Sequence, residues 1–210
     1  MASIEFAVLG VADLPAATRF HADVLGSDPR IRLQAAHEPT SGFRGFTLSL
    51  LASQPADVDA LVEAALGAGA ATLKPVTKSL WGYGGVVQAP DGTICTVACS
   101  AKKNTGPATT KIDDLVLQLG VADVAAGKRF YTGRGLAATK SYGRRYVEFA
   151  APSSPLKLSL YKRRALAKVA GVAPDGDGSH RLVIGSDAGP FTDPDGFVWE
   201  ATPSSGDVAG

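Results

Sequence analysis

Each half of the chain opens with an apolar strand followed by a helix. Residues 4–11 are apolar enough for a strand, and Asp13 is placed to cap a helix directly after it. In the second half, leucine and valine alternate with other residues over 115–121, and Asp123 is placed to cap the next helix. The hydrophobic pattern therefore predicts the same strand-helix opening twice.

The segment 41–100 is predicted to be a complete β-α-β-β-β unit. Phe46, Leu48 and Leu50 alternate with polar residues, which predicts a half-buried strand. Asp57 is expected to cap the following helix, whose apolar residues recur at helical spacing. The remaining strands are predicted near residues 71–76, 84–88 and 93–99.

The segment 112–162 is predicted to be a second unit of the same order. Its helix is expected to run to about Leu136, and residues 101–110 before it are polar and aperiodic, as is typical of a linker. Its other strands are predicted near residues 138–142, 145–150 and 156–161. Beyond them we expect a helical turn at 165–170 and strands at 181–184 and 197–202.

A repeated pentapeptide indicates an internal duplication. Leu-Gly-Val-Ala-Asp occurs at 9–13 and at 119–123, and at the same spacing Arg-Phe-His at 19–21 recurs as Arg-Phe-Tyr at 129–131. Each half also carries a late Pro-Asp-Gly turn. We therefore predict two homologous halves, at residues 1–103 and 111–205.

Composition excludes several classes of function. The net charge is +1, which gives no reason to expect a nucleic-acid partner or an anionic membrane surface. No apolar run approaches the roughly 20 residues of a membrane span, and no signal peptide is visible, so a cytoplasmic location is expected. Cys95 and Cys99 lie about 13 Å apart along one strand, which rules out a disulfide between them.

The order of these motifs resembles the vicinal oxygen chelate superfamily, which includes glyoxalase I, bleomycin-resistance proteins, fosfomycin-resistance enzymes and extradiol dioxygenases. The resemblance rests on the strands that end in Val-Ala-Asp, the helices with Arg-Phe-(His/Tyr) and the Pro-Asp-Gly turns before the final strands. It implies an α+β fold of tandem βαβββ modules, in which curled mixed sheets form a cleft and the helices lie outside.

The modules of this chain are unequal in length. Residues 41–100 and 112–162 are similar to complete modules, whereas 3–35 and 179–203 keep only parts of one. The two complete modules are expected to form one cleft, and a vestigial cleft could remain between the two trimmed ends.

The resemblance also implies positions for metal ligands, near the start of the first strand and in the last strand of each module. In this chain the matching positions hold Phe6, Val116, Ser159, Gly45 and Thr96. None of these residues supplies an imidazole or a carboxylate, and a divalent ion needs three or four such groups. No metal and no other cofactor is therefore expected in the central cleft.

Two residues of the trimmed ends are weak candidates for a metal site. Glu200 matches the last-strand ligand of the family, and His180 could match the opening-strand ligand. A divalent metal held there is the alternative, and a surface histidine with a hydrogen-bonded carboxylate is the simpler interpretation. His21 is expected to pack at a helix edge, and His37 to lie in a polar loop.

Strand parity predicts a ligand site in the central cleft, because the apolar set must face the outer helices. The polar set, which faces the cleft, comprises Thr47, Ser49, Thr96, Gln118, Ser159 and Tyr161. Trp81 and Tyr83 are expected beside it, and Glu148 is expected to be a solvated edge carboxylate. A neutral polar pocket with aromatic walls suits an uncharged or planar organic molecule.

Three functions remain open on this basis. The first is metal-free binding or sequestration of a small neutral or aromatic molecule, without catalysis, by a monomer or homodimer. The second is a metal-dependent lyase, isomerase or dioxygenase that uses His180 and Glu200. The third is a degenerate scaffold that binds nothing.

Overall fold

Two mixed sheets organise the chain in the computed structural model, which describes residues 1–80 and 82–202. The strands of the first half are β1 (Ile4–Val11), β2 (Ile31–Ala35), β3 (Thr40–Gly42), β4 (Phe46–Leu51), β5 (Ala71–Ser79), β6 (Gly82–Gln88) and β7 (Ile94–Cys99). Those of the second half are β8 (Asp114–Val121), β9 (Ala138–Ser141), β10 (Tyr146–Phe149), β11 (Lys157–Lys162), β12 (Gly176–Gly178), β13 (Leu182–Ser186), β14 (Phe191–Thr192) and β15 (Val198–Ala201). The helices are α1 (Leu14–Leu25), α2 (Pro55–Gly67), α3 (Val124–Thr132) and α4 (Arg163–Ala170).

The larger sheet joins the two complete modules. Its eight strands have the order β5-β6-β7-β4-β8-β11-β10-β9, and the antiparallel pair of β4 with β8 lies at its centre. The smaller sheet joins the trimmed ends, with the order β14-β15-β13-β1-β2, and we call it the terminal sheet. The ends of the chain are therefore held together by the pairing of β1 with β13.

The two copies of Leu-Gly-Val-Ala-Asp occupy equivalent positions. Each copy ends a central strand, β1 or β8, and each aspartate then caps the following helix. Asp13 accepts a hydrogen bond from the backbone N–H of Ala16, and Asp123 accepts one from that of Ala125. These caps satisfy N–H groups that the first helical turn leaves unpaired.

The main core lies between the eight-stranded sheet and the outer helices. The apolar residues that parity places on this side are all buried, namely Phe46, Leu48, Leu50, Cys95, Val97, Leu117, Leu119, Leu158 and Leu160. The opposite face of this sheet, away from α2 and α3, is called the cleft face below.

The start of α2 differs from the expectation. The helix begins at Pro55, and Gln54 is its N-cap, so the assignment of Asp57 as the cap was wrong. Proline suits the first helical turn because its fixed backbone angle and missing N–H are tolerated there. The Asp57 carboxylate instead accepts hydrogen bonds from Gln54 Nε2 (3.1 Å) and the Thr109 backbone N–H (2.7 Å), which ties the 101–110 segment to α2.

Other differences concern the lengths of elements. α3 ends at Thr132, one turn before Leu136, because Gly133 caps it and Gly135 takes a positive φ of 90°. The sequence of residues 28–40 predicts at most a weak strand at 31–33, whereas β2 extends to Ala35, since it pairs in parallel with β1. Within the described residues, no helix is long and apolar enough to span a membrane.

Leu119→Ala should lower the free energy of unfolding by roughly 2–5 kcal/mol, because it opens a cavity in the core. Leu119 is fully buried and pairs with Phe46 across the central strand pair. Chemical denaturation measures the change. The matched control is Leu66→Ala on the outer side of α2, where Leu66 is 41% exposed, and its effect should stay within about 0.5 kcal/mol. Equal effects of the two changes would contradict the assigned core.

Candidate ligand-binding cleft

A row of polar side chains crosses the three central strands on the cleft face. Gln118 of β8 lies opposite Thr47 of β4 on one side and opposite Ser159 of β11 on the other. The Thr47 hydroxyl donates a hydrogen bond to Gln118 Oε1 at 2.9 Å. All three side chains are buried, and Ser159 Oγ makes no hydrogen bond of ordinary distance and angle.

Two further members of the predicted set continue this polar surface toward β7. Ser49 of β4 pairs with Thr96 of β7, and both are buried. The Thr96 hydroxyl donates to the Leu48 carbonyl at 3.5 Å, a long contact. Parity thus places both hydroxyl groups on the face where the sequence predicts them.

An aromatic wall rises at the other side of the row. Tyr161 of β11 and Tyr146 of β10 pair across the strands, with ring centroids 4.9 Å apart. The Tyr146 hydroxyl donates to Glu148 Oε2 at 2.7 Å, and Lys140 Nζ lies 3.3 Å from Glu148 Oε1. Thr139 Oγ1 is a third partner, at 3.4 Å from Glu148 Oε1, so the expectation of a solvated edge carboxylate was wrong. Tyr146 was absent from the predicted site, although its parity with Tyr161 places it there.

The environment of this wall holds both phenols in the neutral form. Burial raises the pKa of Tyr146 well above its ordinary value, and the hydrogen bond to Glu148 adds to the increase. Burial also raises the pKa of Tyr161, with a further contribution from the Glu148 charge. The wall therefore offers hydroxyl groups and ring faces to a ligand, and no phenolate near neutral pH.

Helix α4 lies on the cleft face over the ends of β8, β11, β4 and β7. It follows β11 directly, and the Arg163 Nε donates to the Pro174 carbonyl at 2.9 Å. The helix passes so close to β8 that a side chain on Gly120 would meet Arg163 Cα at 3.0 Å. Its buried residues Leu166, Ala167 and Ala170 form a second apolar cluster with Phe43, Val86 and Ile94. A helix was expected here, but its position inside the cleft was not.

A small cavity remains beside α4 at the edge of the cleft face. Its volume is about 160 Å³, and Arg44, Gln88, Ile94 and Val172 are among its lining residues. Typical small-molecule pockets measure roughly 300–1,000 Å³. With α4 in this position, the cavity has room for only a few ligand atoms.

Tyr83 lies on the other side of the sheet. It pairs with Cys99 on the helix side, and its hydroxyl donates to Asp59 Oδ1 of α2 at 2.8 Å. The expectation that Tyr83 borders the cleft was therefore wrong. Trp81, the other aromatic residue predicted for the site, falls outside the described residues.

The positions that the family pattern reserves for metal ligands do not fit a metal. Val116 is buried on the cleft face, and Gly45 has no side chain. The ring of Phe6 is covered by the guanidinium of Arg32, whose Cζ lies 3.3 Å from the ring centroid. Within residues 1–80 and 82–202, no three His, Cys, Asp or Glu side chains are grouped closely enough to hold an ion.

His180 uses both ring nitrogens in contacts with the backbone. Nδ1 lies 2.5 Å from the Arg44 carbonyl oxygen, Nε2 lies 3.1 Å from that of Asp195, and the ring stacks on Phe197 at 4.0 Å. Glu200 is exposed on β15, opposite Gly185. A metal at His180 would have to displace one of its two contacts, so this arrangement supports a structural role.

Comparison with solved structures shows that this fold is similar to those of two kinds of known protein. Glyoxalase I from Zea mays matches with a TM-score of 0.61 and 15% identity, over 96% of this chain and 92% of that one. A provisionally assigned dioxygenase from Bacillus subtilis matches with a TM-score of 0.53 and 11% identity, over 92% and 71% of the two chains. No family model matches, and no curated protein sequence matches significantly. The chain has the glyoxalase I-like fold, with the mixed sheets and helices that the sequence resemblance implies.

Protein purified without chelator should contain far less than one Zn, Ni, Mn or Fe per chain, because the ligand positions hold Val116, Ser159, Gly45 and Thr96. Elemental analysis is the measurement. About one metal ion per chain, lost on Glu200→Ala, would contradict this prediction and favour the metal-dependent alternative.

Tyr146→Phe should remove from the titration curve a phenol whose pKa lies well above that of an ordinary tyrosine. Because the pKa of Tyr146 is raised in the folded protein, the unfolded chain loses this proton at lower pH. The contribution of Tyr146 to the free energy of unfolding is therefore complete below the unfolded pKa and is lost as pH rises from there through the folded pKa. Ultraviolet titration and denaturation above about pH 10 measure both effects. Glu148→Gln should shift the ionisation of Tyr146 to lower pH. An unchanged titration in both variants would refute the Tyr146–Glu148 contact.

Proposed function

We propose that this protein binds and sequesters a small neutral or aromatic organic molecule on the cleft face, without a metal. The ligand would lie on the polar row of Gln118, Ser159 and Thr47, against the rings of Tyr146 and Tyr161. Neutral groups of this kind orient an uncharged ligand by hydrogen bonds, and aromatic walls supply contact area.

The observation that supports this proposal is the row of buried polar side chains on the cleft face. α4 packs Leu166, Ala167 and Ala170 on apolar residues of the sheet edge, whereas the central strands carry the buried hydroxyl and amide groups of Thr47, Gln118 and Ser159. Ser159 Oγ has no hydrogen-bond partner at ordinary distance and angle. A buried polar group without a partner is unfavourable by roughly 1–3 kcal/mol. If this face served only to support α4, an apolar residue in place of Ser159 would make the protein more stable. These polar groups would supply hydrogen bonds to a ligand that replaces α4.

Ligand entry requires α4 to move. The helix packs on the sheet through a few small or medium apolar side chains. Its outer side carries Arg164 and Lys168, and also Val169, which is 43% exposed. The apparent affinity for a ligand is reduced by the fraction of molecules in which the cleft is closed. Weakening the α4 packing should therefore strengthen binding.

The close packing of α4 favours a second candidate, a closed scaffold without a ligand. Leu166, Ala167 and Ala170 are all fully buried, as in a permanent interface. The two candidates make opposite predictions for variants of α4, because a permanent interface would lose stability when weakened and gain no binding.

A thermal-shift screen with aromatic antibiotics and quinones tests the proposal. A ligand at 100 times its dissociation constant should stabilise the fold by about 2.7 kcal/mol, which raises the melting temperature measurably. Gln118→Ala should weaken binding of the hit. The matched control Gln34→Ala, at an exposed position of the terminal sheet, should leave it unchanged.

Two variants of α4 then separate the candidates. Leu166→Ala should lower the stability of the free protein and increase the affinity for the hit, whereas Val169→Ala should change neither. If the screen gives no hit, or if Gln118→Ala binds as tightly as Gln34→Ala, the closed scaffold is favoured.

A further inference from the structure

A second site lies on the helix side of the terminal sheet, between α1 and β2. This α1–β2 groove has a volume of about 370 Å³ and is partly open to solvent. Leu14, Leu25, Ile31 and Leu33 give it largely apolar walls, and His21 is among its lining residues. The groove is separate from the cleft face, because Ile31 and Leu33 pair with the helix-facing residues of β1.

His21 is paired with a buried carboxylate outside the groove. Its Nε2 lies 3.0 Å from Asp91 Oδ2, and the two side chains are only 7% and 4% exposed. Burial alone would raise the pKa of Asp91, but hydrogen bonds from His21 and from the Thr93 backbone N–H hold it below its ordinary value. An ionised Asp91 accepts a hydrogen bond from Nε2–H, and in that tautomer of the imidazole the acceptor nitrogen is Nδ1.

Nδ1 of His21 is buried and has no hydrogen-bond partner. His21 lines the groove and Asp91 does not, so the contact through Nε2 leads away from the groove and Nδ1 lies on another side of the ring. A buried acceptor without a partner destabilises the fold, and a ligand that supplies an O–H group would relieve that cost.

The internal duplication provides a comparison. Tyr131 occupies the equivalent position of α3, and its hydroxyl donates to Asp193 Oδ2 at 2.5 Å. Tyrosine thus joins helix to turn without leaving an unpaired acceptor, which shows that the structural contact alone does not require histidine. The histidine in the first half adds one feature, the lone pair on Nδ1.

The rim of the groove carries little net charge. Asp28 is among its lining residues, and Arg30 Nη2 lies 2.6 Å from Asp28 Oδ2 in an ion pair. Burial raises the pKa of Asp28, but the side-chain and backbone hydrogen bonds from Arg30 and its positive charge together lower it below its ordinary value. Because this carboxylate is already neutralised, the groove does not select for a charged molecule.

We infer that the α1–β2 groove binds a small, largely apolar molecule with a single hydroxyl donor, of the phenol class, whose O–H bonds to His21 Nδ1. This site does not depend on the function proposed for the cleft face. It uses different residues, on the opposite side of a different sheet.

Comparison of p-cresol with toluene tests the inference, since the two probes differ only in the hydroxyl group. One net hydrogen bond should make p-cresol bind roughly five- to tenfold more tightly, measured by calorimetric titration or ligand-observed NMR. In protein labelled with ¹⁵N at histidine, the Nδ1 resonance of His21 should shift when p-cresol binds. Equal affinities for the two probes, no binding of either, or an unmoved resonance would overturn the inference.

Three variants locate the site. Ala22→Trp fills the groove from an exposed position and should abolish binding, whereas Arg19→Trp on the same helix outside the groove should not. His21→Tyr follows the repeat, keeps a donor to Asp91 and should remove the preference for p-cresol over toluene. If Gln118→Ala abolishes p-cresol binding and Ala22→Trp does not, the probe occupies the cleft face and the α1–β2 groove is excluded.

Discussion

The antiparallel pairing of β4 with β8 is the constraint on which the rest of the structure depends. These strands belong to different modules, and their register sets Phe46 opposite Leu119 and Thr47 opposite Gln118. A shift of one residue would exchange the two faces, burying amides under α2 and α3 and exposing leucines to the cleft. The single register therefore fixes both the core and the polar floor of the candidate site.

The duplication supplies a second level of organisation, through polar contacts between helices and turns. α1 reaches the turn between β6 and β7 through His21 and Asp91, and α3 reaches the turn before β15 through Tyr131 and Asp193. Each contact is buried and links a helix of one module to a turn of the next. Removing one partner of such a buried pair leaves a group unsatisfied, so these contacts restrict how the modules can be arranged.

Strand parity and helix capping account for most of what the sequence correctly predicted about the fold. Apolar alternation sorted Leu117 from Gln118 correctly, because a two-residue period leaves only one choice once the helices cover one face. Tyr83 was expected in a glycine-flanked turn beside the cleft, but it lies in β6, and its side of the sheet follows from pairing with Cys99, which the sequence does not reveal. The prediction that Asp57 caps α2 was wrong because the helix begins two residues before Asp57, at Pro55, with Gln54 as its N-cap.

The position of α4 was beyond the reach of sequence patterns. Its three buried residues are those of an amphipathic helix. An amphipathic pattern predicts that one face of the helix is buried, but it does not identify the element that packs against that face. Only the tertiary structure shows that the partner is Phe43, Val86 and Ile94, from the other module.

This placement limits the ligands that can occupy the cleft. Complete burial of a leucine side chain such as Leu166 contributes about 1.5–3 kcal/mol, and Ala167 and Ala170 add less. A ligand must recover this energy through contacts that only the open cleft offers. A molecule that binds the open and closed states equally does not change the equilibrium between them. Small polar molecules that hydrogen-bond to Gln118 alone gain roughly 1 kcal/mol, which is too little. On the proposed function, an aromatic ring that stacks on Tyr146 and Tyr161 would bury apolar surface in place of that covered by α4. The energetics of the helix therefore favour a larger, planar ligand over a small polar one.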